Sequence, residues 1–221
     1  AGECRAARTA WQLPEEQAVN WSLGVVMASA DHVKQAIAEM IAEQKTGENS
    51  PLSLPLRVYL LIINSPEESV IGGDGNQVEQ LVKRLGAAFF PLHGVTTVHC
   101  EVARPVAEPY HDLHLFETNP AEGLLFYSCA KGGRFNPTRE SCAAAILDQA
   151  LHGIDYPATI QSAYADGIRI FLEMGPGNSC SRMINRILEG KPHLARAACF
   201  NGPDQPLHLL RMLASLVAER V

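Results

Sequence analysis

Short apolar runs alternate along this chain with longer stretches whose apolar positions recur at helical spacing. That alternation narrows the fold more than any other feature, because it is the pattern of an α/β protein. The first run, Leu23–Ser29, is followed by VKQAIAEMIAEQ at 33–44, which reads as a helix entered through Asp31 as its N-cap. After the polar loop KTGENSPLSLP (45–55) come a strand at 56–63, a turn at NSPEE (64–68) and a short strand SVIGG (69–73). A helix over Asn76–Leu85 and a strand GVTTV at 94–98 complete the series. The order is β-α-β-β-α-β, which predicts a ferredoxin-like small subdomain over residues 22–98.

Beyond residue 98 the pattern changes. ARPVAEPYHDLHLFET reads as a proline-rich entry into a helix, GLLFYSCA as a strand and TRESCAAAILDQAL as a helix. PATIQSAYADG reads as a helix closed by glycine, IRIFLEM as a strand, SCSRMINRIL as a helix, LARAACF as a strand and QPLHLLRMLASLVAERV as a last helix. Short apolar strands separated by helices predict part of a parallel sheet covered on both faces.

Composition enters through what it excludes. The longest apolar runs, such as VYLLII, fall far short of the ~20 residues that cross a bilayer, so no membrane partner is expected. The formal net charge of -6 argues against nucleic acid as a partner. Six cysteines without a CxxC pair suit reduced thiols and a cytoplasmic location, and no metal site is expected. His111 and His114 lie at i and i+3 on one helix face, but no carboxylate or cysteine completes a ligand set, so a solvated face is the expectation. GGDGN at 72–76 is too short and wrongly patterned for a dinucleotide fingerprint.

The stretch FLEMGPGNSCSRM (171–183) runs a strand into Gly175-Pro176-Gly177 and then into a helix. Glycine supplies unusual backbone angles for such a sharp turn and proline fixes one φ. The helix that follows offers N–H groups, and in open α/β sheets ligands gather at the carboxyl ends of strands. A tight connection without chemistry accounts for the same pattern. Glu173 reads as a structural carboxylate that caps N–H groups across the turn, and Ser179 and Ser181 as helix-start residues rather than nucleophiles.

Four segments together carry a resemblance. DGIRIFLEMGPGNSCSRMINRIL (166–188), IINSPEESVIGGDGNQVEQLVKRL (62–85), TTVHCEVARPVAE (96–108) and IDYPATIQSAYADG (154–167) resemble, in order and spacing, the malonyl-type acyl-CoA:acyl carrier protein transacylases. The likeness covers most of residues 20–200 and is nearest in character to the acyltransferase domains of multidomain polyunsaturated fatty acid and polyketide synthases.

The resemblance implies a ferredoxin-like small subdomain (22–98) beside an α/β-hydrolase-like large subdomain, of which residues 99–221 would be the C-terminal part. It also implies a ping-pong reaction in which a serine in G-x-S-x-G attacks acyl-CoA, the donor, and the acyl group passes to phosphopantetheine on the carrier protein, with no cofactor bound to this chain. His99 would be the catalytic base, Asn64 and Ser65 would line the substrate channel, and a backbone carbonyl at His152 or Gly153 would orient the His99 ring. Glu173, Gly175, Pro176 and Gly177 would be structural near the site.

The sequence departs from the family in two respects: no Gln stands immediately before Tyr156 and Pro157, where the family can use one to orient the His, and, decisively, no G-x-S-x-G occurs in its 221 residues. The expectation is therefore a C-terminal portion, inactive alone, with residues 1–21 as a surface connection or docking helix from a missing upstream half that also holds the carboxylate-binding arginine. Expected partners are that missing half, an acyl carrier protein and other synthase domains. The acidic carrier would meet a local basic cluster, either Lys131, Arg134 and Arg139 or Arg182 and Arg186. A non-catalytic module that docks carrier protein or neighbouring domains is the alternative.

Overall fold

The computed structural model describes residues 4–46, 55–94, 99–199 and 205–220. The chain divides into two units, residues 1–159 and 160–221.

In the first unit, helix α1 (Arg5–Ala10) precedes β1 (Trp21–Val26), α2 (Ala30–Thr46), β2 (Val58–Ser65), β3 (Glu68–Asp74), α3 (Gly75–Leu85) and β4 (Phe89–Pro91). A 3-10 helix over Glu101–Val106 leads into α4 (Ala107–Leu113), a hairpin of β5 (Phe126–Ser128) and β6 (Gly133–Phe135), α5 (Arg139–His152) and β7 (Ile154–Asp155). The sheet order is β4-β1-β3-β2-β7, antiparallel throughout except that β7 runs parallel to β2. Central β3 is buried along nearly its whole length, which suits its apolar run SVIGG.

Strand alternation sorts the core into two layers. Val26, Val58 and Ile71 pack with α2 and α3 through Val33, Met40, Val78 and Leu81. The neighbouring positions Leu23, Leu61 and Val70 project to the opposite face, where they meet Ala7, Trp11, Cys100 and Val102. The N-terminal segment carries a helix that docks on the chain's own sheet: Ala7 and Trp11 are buried, because α1 covers an apolar sheet face that would otherwise meet water.

Local chemistry places the helix ends. Asp74 accepts hydrogen bonds from the N–H groups of Asn76 (3.2 Å) and Gln77 (3.3 Å), so GGDGN is the entry of α3. The hydroxyl of Thr138 accepts from Ser141 N–H in a capping box that opens α5. Helix α2 starts earlier than the sequence suggested. Ser29 Oγ accepts from His32 N–H at 3.3 Å, so the cap is Ser29 and Asp31 lies inside the first turn.

Three further readings change. Most of the strand expected at 94–98 lies outside the described residues; Gly94 is in a turn, and β4 is formed earlier, by Phe89–Pro91. Phe89 packs over Gly24 of β1, where a Cβ would come within 2.5 Å of the ring. GLLFYSCA does not join a parallel sheet: only Phe126–Ser128 is extended, and it pairs antiparallel with β6. Ile154–Asp155, assigned to no element from the sequence, extends the first sheet beside β2.

Helix α6 (Tyr156–Ala165) spans the unit boundary. In the second unit, β8 (Ile170–Glu173), α7 (Ser179–Ile187) and β9 (Leu194–Ala197) form a parallel β-α-β, followed by α8 (Gln205–Ala218). No helix among the described residues is long and apolar enough to cross a membrane.

Candidate functional site

His99 stands just before the 3-10 helix, with its backbone in the left-handed region at φ 40°. Few non-glycine residues adopt such angles, and those that do cluster at functional sites. Its Nδ1 lies 2.9 Å from the carbonyl oxygen of Gln149. A carbonyl only accepts, so this bond requires the proton on Nδ1 and leaves the Nε2 lone pair to receive another. The bond thereby fixes the orientation of the ring. Next to it, Cys100 is buried, and desolvation pushes its thiol up to about 12.

The partner carbonyl differs from the one the sequence suggested. It belongs to Gln149, one helical turn before His152 and Gly153. The last four carbonyls of a helix lack helical partners, and Gln149 lies in that turn of α5. Counting back from the α5 terminus could have flagged it, although no side-chain signal marks a carbonyl. The His152 ring is instead 65% exposed and faces Asp148 at 3.8 Å.

Gly153 has a different task. At φ 89°, with a Cβ position only 2.9 Å from Leu61 O and 3.5 Å from His99 O, it lets α5 end against both β2 and the His99 backbone. The chain then enters β7 in register with β2, Ile63 opposite Asp155. Asn64 follows on β2, roughly 10 Å beyond Leu61 at ~3.3 Å per residue, and its Nδ2 donates to Glu68 Oε1 at 2.9 Å. Ser65 and Glu68 are buried. The turn expected at 64–68 is therefore shorter, Pro66–Glu67 between β2 and β3, and Asn64 and the helix end that holds His99 are joined to the same strand.

On the same side of the first unit, Trp11, Tyr59, Glu101, Arg104 and Pro105 line a cavity of about 430 Å³. Trp11 Nε1 donates to Tyr59 Oη at 3.2 Å, and burial raises the Tyr59 pKa. Nothing in the sequence pattern pointed to this cavity.

The Gly175-Pro176-Gly177 turn lies in the second unit. The Glu173 carboxylate, at the end of β8, spans the turn and accepts from Cys180 N–H (3.2 Å) and Ser181 N–H (2.7 Å). These α7 N–H groups are therefore engaged by the protein's own carboxylate rather than open to a ligand. Gly177, at φ 107°, donates its N–H to Cys199 O, and Cys199 Sγ donates to Gly175 O. His114 Nδ1 lies 2.6 Å from Tyr110 O and His111 faces Asp112. Among the described residues no three His, Cys, Asp or Glu side chains gather as a metal-binding group.

No protein-family model matches the chain. Its fold does have solved counterparts. The acyltransferase domain from the second module of the salinomycin polyketide synthase superposes with a TM-score of 0.71 at 22% identity, covering 97% of this chain and 47% of that one. The chain has the fold of an acyltransferase domain. The malonyl-CoA:acyl carrier protein transacylase of Xanthomonas oryzae pv. oryzae shares this fold with a TM-score of 0.72 at 19% identity, covering 96% of this chain and 61% of that one. In sequence, this acyltransferase-fold chain is 24% identical over 233 residues to a polyunsaturated fatty acid synthase component of Thraustochytrium sp., an alignment that covers 99% of the chain and 11% of that component. The chain thus spans about half of the salinomycin synthase domain, three fifths of the transacylase and a tenth of the fatty acid synthase component.

Proposed function

We propose that the chain is part of an acyltransferase domain that moves an acyl group, malonyl or similar, from CoA to the phosphopantetheine thiol of an acyl carrier protein in fatty acid or polyketide synthesis. The observation that carries this reading is the His99–Gln149 hydrogen bond, which leaves Nε2 as the acceptor for a nucleophile's proton.

The chemistry follows from that lone pair. A serine Oγ attacks the thioester carbonyl while its proton moves to His99 Nε2, and preorganised N–H donors hold the developing oxyanion. The C–S bond breaks, the CoA sulfur takes the proton from Nε2, and an acyl-serine remains. The carrier thiol then gives its proton to Nε2, attacks the acyl-serine and releases the hydroxyl. With no G-x-S-x-G in the sequence, the serine in this reading comes from a segment outside these 221 residues. Asn64 is the better placed of the two channel residues to meet substrate, since Ser65 is buried.

The strand order β4-β1-β3-β2 supports a ferredoxin-like small subdomain over residues 22–98, and the parallel β8-α7-β9 unit supports an α/β-hydrolase-like origin for residues 99–221. Residues 1–21 would enter from the upstream part, and the whole would work in the cytoplasm with carrier protein and other synthase domains.

The test is acyl transfer from radiolabelled malonyl-CoA to a carrier protein, using a polypeptide that joins this chain to a G-x-S-x-G segment. His99→Ala should cost ~10⁴-fold in rate with the fold retained, and the 221-residue chain alone should hold no label. Full activity of the variant would remove the base assignment, and label on Ser179, Ser181 or a cysteine of the chain alone would move the nucleophile. Carrier binding without any transfer in the longer polypeptide would favour a docking module.

A further inference from the structure

In the second unit, one face of α7 and part of β9 enclose an open cavity of about 420 Å³. Its lining is rich in hydrogen-bond donors: the guanidinium groups of Arg182 and Arg186, the amides of Asn178 and Asn185 and the hydroxyl of Ser181, with Glu189 as its one carboxylate. Helical spacing explains the set, since positions 178, 182, 185, 186 and 189 fall on one side of a helix. Ser181 is 6% exposed, and its Oγ has no hydrogen-bond partner among the described residues. A buried hydroxyl without a partner is unfavourable, and a small shift at the cavity wall would let a ligand oxygen supply one.

Two further observations give the ligand a sign. Among the described residues no carboxylate pairs with Arg186, whereas in the other basic cluster Lys131 lies on Asp148 at 2.6 Å and Arg139 beside Glu140 at 3.3 Å and Glu117 at 3.7 Å. The Asn185 amide is anchored by His193 Nε2 at 3.0 Å, so part of the donor set is held in place before anything binds. Arginine pairs with tetrahedral or planar oxyanions through several N–H groups at once. The volume suits a small group rather than a protein surface.

We propose that this cavity binds a phosphate group. On the acyltransferase reading, from which the source of the phosphate follows, that group is either the phosphoadenosine end of CoA or the phosphodiester of the carrier's phosphopantetheine arm. The 221-residue chain, in phosphate-free buffer at low salt, is titrated by calorimetry with adenosine 3′,5′-bisphosphate and separately with phosphopantetheine.

Saturable binding of either probe, weakened at least tenfold by Arg186→Ala and several-fold by Ser181→Ala but not by Arg139→Ala, supports the site. The bisphosphate alone binding identifies CoA as the source, and phosphopantetheine alone identifies the carrier arm. No saturable binding, or binding that Arg182→Ala and Arg186→Ala leave unchanged, overturns the proposal. Ser181→Ala removes a hydroxyl that makes no internal bond, so it should fold as the parent does. The readout needs no catalysis: phosphate binding without acyl transfer in the longer polypeptide would count against the acyltransferase reading alone, and acyl transfer without phosphate binding would count against this site alone.

Discussion

Gly153 shows how a single atom position can govern the site. A Cβ there would sit 2.9 Å from Leu61 O on a backbone at φ 89°, so Gly153→Ala meets both a steric and a conformational penalty. The expected cost is roughly 2–3 kcal/mol, read as a lowered urea midpoint. On the proposed reading, the acyl-transfer rate of the polypeptide that joins this chain to a G-x-S-x-G segment should fall further than stability explains, because the same movement displaces the Gln149 carbonyl from His99.

Cys100, next to His99, gives a pH-dependent readout. Burial raises its thiol from an ordinary 9.0 to about 12, so the folded state favours the neutral form. The stabilisation is full below pH 9 and is lost as pH rises from 9 towards 12, since the unfolded chain releases its proton first. At pH 8 the Cys100 thiolate fraction should be about a thousandfold below that of an ordinary thiol. Mass-resolved iodoacetamide labelling should therefore leave Cys100 to last, and early labelling at Cys100 would show that the cluster around it opens.

At the scale of elements, the Glu173 carboxylate ties the end of β8 to the start of α7 through two hydrogen bonds. A negative group at a helix N-terminus also complements the helix dipole. Glu173→Ala should cost about 1–2 kcal/mol, and Glu173→Gln about half as much because one acceptor oxygen remains. Hydrogen exchange at Cys180 and Ser181 localises the effect: both amides should lose protection. Unchanged exchange there would show that α7 is held by its packed face, through Ile184 and Ile187, rather than by its cap.

At the scale of the whole molecule, apolar surface is left open in the second unit. Leu207, Leu210, Leu213 and Val217 recur along one side of α8, with Val217 73% exposed and Leu210 62%, and Met174 after β8 is 71% exposed. Parallel sheets are ordinarily covered on both faces, and among the described residues β8 and β9 pair only with each other. The 221-residue chain should therefore bind a hydrophobic dye and associate at micromolar concentration, and Leu210→Lys with Val217→Lys should reduce both. A monodisperse, dye-negative chain would show that these faces are not sticky. On the proposed reading, in which an upstream segment joins this chain, a polypeptide that includes a G-x-S-x-G segment should lose dye binding without any substitution.

The sequence by itself determined what depends on side-chain pattern. Periodicity placed α3, α5 and α7 within a residue or two, the apolar alternation marked β2 and β3, and turn chemistry located the end of α6 near Gly167. The motifs around His99 and Gly175-Pro176-Gly177 carried the likeness to acyltransferase domains that the superposition shares. Tertiary structure decided what depends on partners. Phe89–Pro91 became β4 because β1 offers an edge with Gly24 beneath the Phe89 ring, and Ile154–Asp155 became β7 because β2 lies alongside. The carbonyl that orients His99 belongs to Gln149 and not to His152 or Gly153 for the same reason. Every residue carries the same backbone C=O, and all but proline the same N–H, so which of them meet is set by the packing of distant elements and leaves no mark in the identity of the residue that supplies them.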